Sequence, residues 1–504
     1  MGLAAAAVLV AAGAPASAQN LSTASNGSSS TNGGTANGAL TPAAAPADAS
    51  TGAAAQADAQ PGPAALHYKG ITLTPGGFMA AETVWRQRGL SADINTPFNA
   101  LPMPGSSQYH LSEFAGSGRQ SRIAMLAQGT LSHVKIGGYY EGDFLSAGVT
   151  SNANQSNSYT FRQRQFWAQA AFTNGVTVTG GQMWSLVTET SHGVDNRTEN
   201  LPMTIDAQYH VGFSWARQFG FRVAKDFGNK TWLAVSLENP QTTFAVHGQS
   251  NNFLLGAAGN GGGLYNPTAN YTFSYMPDVI AKAAFEPHAG QHYEVFGIFS
   301  TFRDRVFPTG RAPYNYHTAG GGVGVNARIS VAKNAATFGI HYVMGSGVGR
   351  YGTSSLPDAT VRADGTLALI KSQQVLGTLQ FHHKKLDVFF NGGAEFAGRQ
   401  AQTTGATTAV GYGSSLFNNS GCMTEPAPGA GGFAPGALSA CTADTHDVIE
   451  GTGGFWYTFY QGSKGMVRFG TQVSHLVRQA WSGVGGAPQA NDNMLFTSFR
   501  YFLP

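Results

Sequence analysis

Glu141 and Asp143 stand two residues apart, and so do Arg162 and Arg164. On extended backbone that spacing puts both members of a pair on one face. Charges gathered along a strand face do electrostatic rather than covalent chemistry: they set a field across the space they border, strengthened where the walls have a low dielectric. Arginine suits such work because its charge does not titrate away and its planar fork pairs with carboxylates and phosphates. The chain carries 19 Arg against 10 Lys, a skew that a merely solvated surface does not require. The candidates for lining a water-filled lumen are therefore Arg122, Glu141, Asp143, Arg162, Arg164, Glu238, Arg468 and Arg500. Arg303 and Arg305 are candidates for its mouth, where they recruit anions or simply form a solvated rim. Glu141 and Asp143 fall at the end of one expected strand, beside the start of the next at Arg162 and Arg164. The four charges then share a height, either as a transverse field or as mutually satisfied ion pairs in the wall, and both readings stand at this point. Arg217 and Arg222 have opposite parity, so an unbroken strand cannot turn both inward; one of them is expected at a bulge or an interface.

Other motifs fail on context. Gly347-Val348-Gly349-Arg350-Tyr351-Gly352 fits G-x-G-x-x-G, but Thr353-Ser354-Ser355-Leu356-Pro357 cannot open the helix a dinucleotide site needs. His382 and His383 are adjacent and point to opposite faces of a strand, so they cannot chelate one metal together. No G-x-S-x-G elbow, HExxH helix or P-loop occurs. No enzymatic activity, cofactor, metal or nucleic-acid partner is expected.

The elements that must position these charges announce themselves by rhythm. Strand-like stretches fall near 76–87, 120–130, 133–144, 160–173, 175–187, 209–226, 230–239, 278–287, 291–302, 320–331, 335–345, 370–382, 384–396, 448–460, 465–478 and 491–502, about 16 strands on this reading. Very short turn-forming connections such as Leu131-Ser132, Thr173-Asn174 and Gly228-Asn229 alternate with long polar ones at 88–119, 145–159, 188–208, 240–277, 303–319, 346–369, 397–447 and 479–490. The fold class expected is all-β: a transmembrane antiparallel β-barrel with short periplasmic turns and long extracellular loops. In 133–144, Val134, Ile136, Tyr140 and Phe144 share one face and Lys135, Tyr139, Glu141 and Asp143 the other, so a one-residue slip would put three charges into lipid. Leu233, Val235 and Leu237 oppose Ser236 and Glu238 in the same way, and Val467, Phe469, Val473 and Val477 oppose Arg468, Gln472 and Arg478. Alternation breaks in 160–173, where Arg162 and Arg164 share a face with Phe166; that strand is expected to face lipid on neither side. The last strand is aromatic-rich and ends with the chain, as closure against the first requires, although Leu503 and Pro504 follow Phe502.

Only 11% of residues are charged, yet no run of roughly 18 apolar residues occurs outside the extreme N-terminus, so helical spanning is excluded. Glycine at 67 residues, with 32 Phe and 18 Tyr, suits an aromatic-girdled barrel better than a soluble α/β enzyme. Residues 1–18 read as a signal peptide ending Ala16-Ser17-Ala18, cut before Gln19, without the usual positive start. Residues 19–66 hold two charges, Asp48 and Asp58, and no aromatic residue until the barrel domain at 67–504, a composition that cannot order itself. Cys422 and Cys441, the only cysteines, sit in the longest loop and are expected to form a disulfide in an oxidising compartment. A plug domain ahead of the barrel would mark a gated transporter, and 19–66 is too short and featureless for one. Passive flux is the primary expectation. The alternative is a structural or adhesive barrel whose long loops bind an external partner; sixteen strands are too wide to fill with their own side chains, so loops must then fold inward.

Ser121-Arg122-Ile123, Tyr140-Glu141-Gly142-Asp143-Phe144, Phe161-Arg162-Gln163-Arg164, Gly181-Gln182-Met183-Trp184-Ser185-Leu186, Glu238-Asn239-Pro240, Pro277-Asp278-Val279 and Gly345 to Tyr351 occur in order between about 76 and 351. This ordered set resembles the DcaP-like outer-membrane porins; the C-terminal third is similar only in general barrel character. The resemblance implies a homotrimeric diffusion porin in the outer-membrane lipid of a bacterium, passing small anionic or zwitterionic solutes. It departs from that family's coiled-coil N-terminal extension, since 19–66 lacks heptads.

Overall fold

The computed structural model describes residues 65–145, 159–248, 252–258, 270–272, 274–332, 335–429 and 440–504. The expected signal peptide and, but for its last two residues, the expected leader lie outside them. Sixteen strands form one closed antiparallel barrel. They are β1 (Ile71–Arg86), β2 (Arg122–Leu131), β3 (Val134–Asp143), β4 (Arg162–Phe172), β5 (Val176–Trp184) and β6 (Arg217–Asp226). Then come β7 (Thr231–Glu238), β8 (Asp278–Phe285), β9 (Gln291–Val306), β10 (Tyr314–Val331) and β11 (Ala336–Ser346). The ring ends with β12 (Lys371–His383), β13 (Leu386–Ala397), β14 (Thr445–Gly462), β15 (Gly465–Ala480) and β16 (Gln489–Phe502). Each strand pairs with the next in sequence, and β16 returns to β1 with Phe78 opposite Phe502 and Arg86 opposite Met494. No barrel edge is left for lipid to meet, which is the condition for backbone to cross hydrocarbon.

Local chemistry explains the turns. Gly228 and Asn229 both adopt positive φ, 77° and 57°, between β6 and β7, the mirror-image turn whose twist matches paired strands. The outer face is apolar and the inner face polar, the reverse of a soluble protein. On β7, Val235 is 48% exposed while the adjacent Ser236 is 1% exposed. Phe299, Val323, Val325, Phe338, Val375 and Phe390 extend the same outer band around the barrel. Inside, Glu82, Glu294, His341, Glu395, Glu450 and Gln472 are all buried.

Three expectations change. The expected strands 175–187 and 209–226 end and begin at Trp184 and Arg217, so the loop between them runs from 185 to 216. Tyr209, Val211 and Phe213 read as strand because they are apolar and alternate, but they are buried inside the barrel rather than against lipid. The β9–β10 hairpin extends four residues past the expected strand end at one side and six at the other, shrinking the expected loop 303–319. In β4, finally, Phe166 is 60% exposed on the outer face, so that strand does face lipid.

Cys422 and Cys441 form the expected disulfide, with Cα atoms 4.8 Å apart. The bridge closes the loop after β13 on itself, and Cys422, buried with Leu101, Met103 and Ala443 and accepting a hydrogen bond from the Gly105 amide at its carbonyl, fastens that loop to the loop after β1. Val235→Arg puts a guanidinium in mid-band and should cost about 2–4 kcal/mol of barrel stability. Urea unfolding of the protein in lipid vesicles reads this directly, and an unchanged midpoint would remove that face from the membrane.

Candidate functional site: the inner wall and the loop it holds

A single extra residue organises the charged part of the wall. Across β3 and β4, Tyr140 opposes Phe166 and Glu141 opposes Gln165, but Gly142 opposes Gln163, which leaves Arg164 as a bulge. A bulge re-aims the side chains around it. Arg164, Gln165 and Trp167 are therefore all buried toward the interior while Phe166 stays outside, and the broken alternation of the sequence is the trace of this bulge.

Around the bulge five of the sequence candidates come together. Arg162 grips Asp143 with Nε and Nη2, both at 3.0 Å. Arg164 donates to Glu141 at 2.5 Å and to Asp143 at 2.9 Å, and Arg122 lies 3.6 Å from Glu141. Tyr139 adds its hydroxyl to Glu141 at 3.0 Å. Of the two readings of these charges, the geometry is that of a satisfied ion-pair network: three guanidiniums against two carboxylates, buried and bidentate in part. Arg500 is likewise held, by Glu82 at 3.0 and 2.8 Å and by Gln120, with Phe78 and Trp456 under its guanidinium at 5.0 and 4.7 Å. Arg468 pairs with Asp387 and also lies over Trp456. Glu238 accepts the amide of Leu186 at 2.8 Å and Gln218 at 3.2 Å. Of the pair with opposite parity, Arg222 points inward to Asn196 and the carbonyl of Trp184, each at 2.7 Å, and Arg217 lies over the Trp184 ring.

Arg303 and Arg305 are not on the lumen side of the mouth. Because β9 continues to Val306, its odd residues keep facing outward, and the inward position between them is taken by the buried Asp304.

The element that sequence reasoning missed is the loop 185–216, which enters the barrel and is fastened around its wall. Thr190 donates backbone and hydroxyl to Glu294 of β9, and Gly193 and His192 reach Glu286 in the turn after β8 at 2.8 and 2.9 Å. Ile205 and Asp206 donate their amides to Gln472 of β15, and Trp456 of β14 donates to the Met203 carbonyl at 3.1 Å. Val211 donates to Glu450 at 3.0 Å, Gly212 to Glu395 at 2.8 Å, and Ser214 meets His341 at 2.9 Å. Buried backbone must find partners, and the wall carboxylates and amides supply them. The seam is tight: a Cβ on Gly212, where φ is +88°, would strike the Val375 carbonyl, and one on Gly393 the Val211 carbonyl. Sequence signals for this loop were present in the acidic residues of inward parity on strands β9, β13 and β14, but without the fold nothing linked them to a partner.

Between the loop and strands β1–β4 lies a cavity of about 150 Å³, lined among others by Thr74, Phe78, Arg122, Tyr139, Arg197 and Glu199. Arg197 is exposed in it, at φ 70°, with its guanidinium 4.9 Å over the Tyr139 ring. Lys135 is exposed on the same inward row of β3, four residues nearer the turn after β2. Arg197 was hidden from sequence reading because it lies in a loop.

The loop carries its own titratable groups. Burial raises Glu199 and Asp206 to about 7, with the Glu450 carboxylate adding to the effect on Asp206. Burial and then the Glu294 carboxylate raise Glu189 to about 8, against Arg328, Asn200 and His292, which favour its charge. A raised carboxylate favours the docked loop in full below its ordinary range near pH ~4 and loses that contribution as pH climbs through its docked value. The loop should therefore loosen progressively between about pH 4 and about pH 8, where the last of the three groups is fully charged even when docked. A spin label on R197C should sharpen its spectrum over that interval, and Glu199→Gln with Asp206→Asn should flatten the change; a spectrum constant with pH would contradict the assignment.

No family model matches the chain, and no curated protein matches it. Among solved structures, the outer membrane channel DcaP of Acinetobacter baumannii superposes with a TM-score of 0.59 at 14% identity, covering 87% of this chain and 100% of that one. OprB of Pseudomonas putida gives 0.46 at 12% identity over 85% of this chain and 94% of the other, and an anion-selective porin from Comamonas acidovorans gives 0.45 at 9% over 86% and 100%. The chain thus has the fold of an outer-membrane channel, similar to that of DcaP, with a closed sixteen-stranded wall and an inward-folded loop between its fifth and sixth strands.

Proposed function

We propose that the protein is a passive diffusion porin of the bacterial outer membrane for small anionic or zwitterionic hydrophilic solutes, exported by its N-terminal signal peptide and working as a homotrimer. The observation that carries the proposal is the cavity beside loop 185–216, in which a solvated Arg197 stands over Tyr139 while the wall arginines are neutralised by carboxylates. In this reading Arg122, Arg162, Arg164, Arg468 and Arg500, with Glu141, Asp143 and Glu238, shape and stiffen the lumen. The field on a passing ion comes from Arg197 and from Lys135, the exposed cations of the loop and of the inward row of β3. Arg197 is placed to act on solute because it is both charged and wet; buried pairs present little net field.

One observation favours the structural or adhesive alternative. The amides of the loop are bonded to wall side chains on many sides, as a permanent seal would require. Conductance separates the two. In a planar bilayer under a salt gradient, the porin reading expects discrete steps in threes and an anion-favouring reversal potential. Arg197→Gln should lower the anion-to-cation permeability ratio roughly fivefold, the factor for about 1 kcal/mol of Coulomb energy at 4 Å in water. A folded barrel that never conducts, even after Gly212→Val forces the loop from the wall, would favour the sealed alternative.

A further inference from the structure

The outward arginines at the top of β9 have no part in the lumen, and their surroundings are unusual for an exposed rim. The outward-parity positions of β9 run Tyr293, Val295, Gly297, Phe299, Thr301, Arg303 and Arg305, of which Val295, Phe299 and Arg305 are exposed, Arg303 is half-buried and Thr301 is buried. Tyr293 opposes Phe285, an aromatic pair at the turn end of the band. From Tyr293 to Arg303 is ten residues; at about 3.3 Å each and a tilt of about 40°, this climbs about 25 Å along the membrane normal, the height of the apolar band of such barrels. Arg303 therefore emerges where hydrocarbon gives way to headgroups.

At that level the outer face is basic and aromatic. Arg303 opposes His317 across β9 and β10, and Arg305 opposes Asn315 and donates to its Oδ1 at 3.0 Å. Tyr275 contacts both sides of the patch, its ring 4.8 Å from His317 and 5.5 Å from the Arg303 guanidinium. Arg311, in the connection between the two strands, is exposed as well. Asp304, between the two arginines, is turned inward and buried with the Asp364 carboxylate near it, and β10 contains no acidic residue.

We propose that the outer face of the β9–β10 extension docks the phosphate-bearing headgroup of an outer-leaflet lipid, held by Arg303 and Arg305 with Tyr275 and His317 beside them. Guanidinium forks match phosphate oxygens, and the aromatic rings sit at the depth where amphipathic rings favour the interface. Further down the same face the exposed Val295 and Phe299 give the acyl chains of the same lipid an apolar seat. The proposal requires that the barrel span a membrane, not that it conduct.

The test is native mass spectrometry of the full chain in detergent, titrated with diphosphorylated lipid A and with the same lipid stripped of phosphate. The wild-type protein should retain the phosphorylated lipid at least about tenfold more tightly than R303Q/R305Q, two charges at an anionic surface being worth at least that factor. The stripped lipid should bind both proteins alike. R303K/R305K, which keeps the charge, should recover part of the affinity and shows that loss in the Gln variant is not misfolding. Equal retention of the phosphorylated lipid by wild type and R303Q/R305Q overturns the proposal. So does displacement of the lipid by excess inorganic phosphate alone, which would mark a soluble-anion site.

Discussion

Hydrocarbon offers a peptide group no hydrogen-bond partner, and the architecture of this chain follows from that deprivation. The last strand must find the first, so Phe502 pairs with Phe78 and the ring closes. Closure turns the sheet inside out: Val235 and Phe299 face lipid while Glu294 and Gln472 face the interior. A sixteen-stranded ring is too wide for its own side chains to fill, and the same rule about unpaired backbone then applies to whatever enters it.

What enters is the loop 185–216, and the inner wall is built to receive it. Glu238, Glu294, Glu395, Glu450 and Gln472 are spread over five strands, yet each accepts amides of this one loop. Acidic residues inside a channel invite a reading as selectivity groups; here their first task is to satisfy buried N–H groups. The arginines answer to the same logic. Arg162 and Arg164 can approach Glu141 and Asp143 together because the bulge at Arg164 shifts the phase of β4 by one residue. Cations left in contact with water, Arg197 above all, belong to the loop or the lower wall rather than to the network.

Legibility in the sequence tracked how local the cause was. The number and order of strands were readable because lipid on one side and polar groups on the other impose a two-residue period, and because tight turns need glycine or asparagine at positive φ, as at Gly228-Asn229. The disulfide was readable because two cysteines had one partner each. Alternation misled where a second apolar environment existed: Tyr209, Val211 and Phe213 pack inside the barrel, and their pattern is indistinguishable from that of a lipid-facing strand. Arg303 and Arg305 were read as loop residues at the mouth, and their outward parity came to light only because β9 runs on to Val306.

The amino-acid order by itself therefore determined a closed, membrane-spanning, sixteen-stranded barrel and the inward parity of most of its charged residues, because each of those features rests on neighbours two residues away or on a turn of a few. Only the tertiary structure decided which charges neutralise one another, which loop occupies the lumen and which arginine meets water. Those outcomes depend on side chains from distant strands converging across the barrel, a distance over which the period of the sequence carries no information.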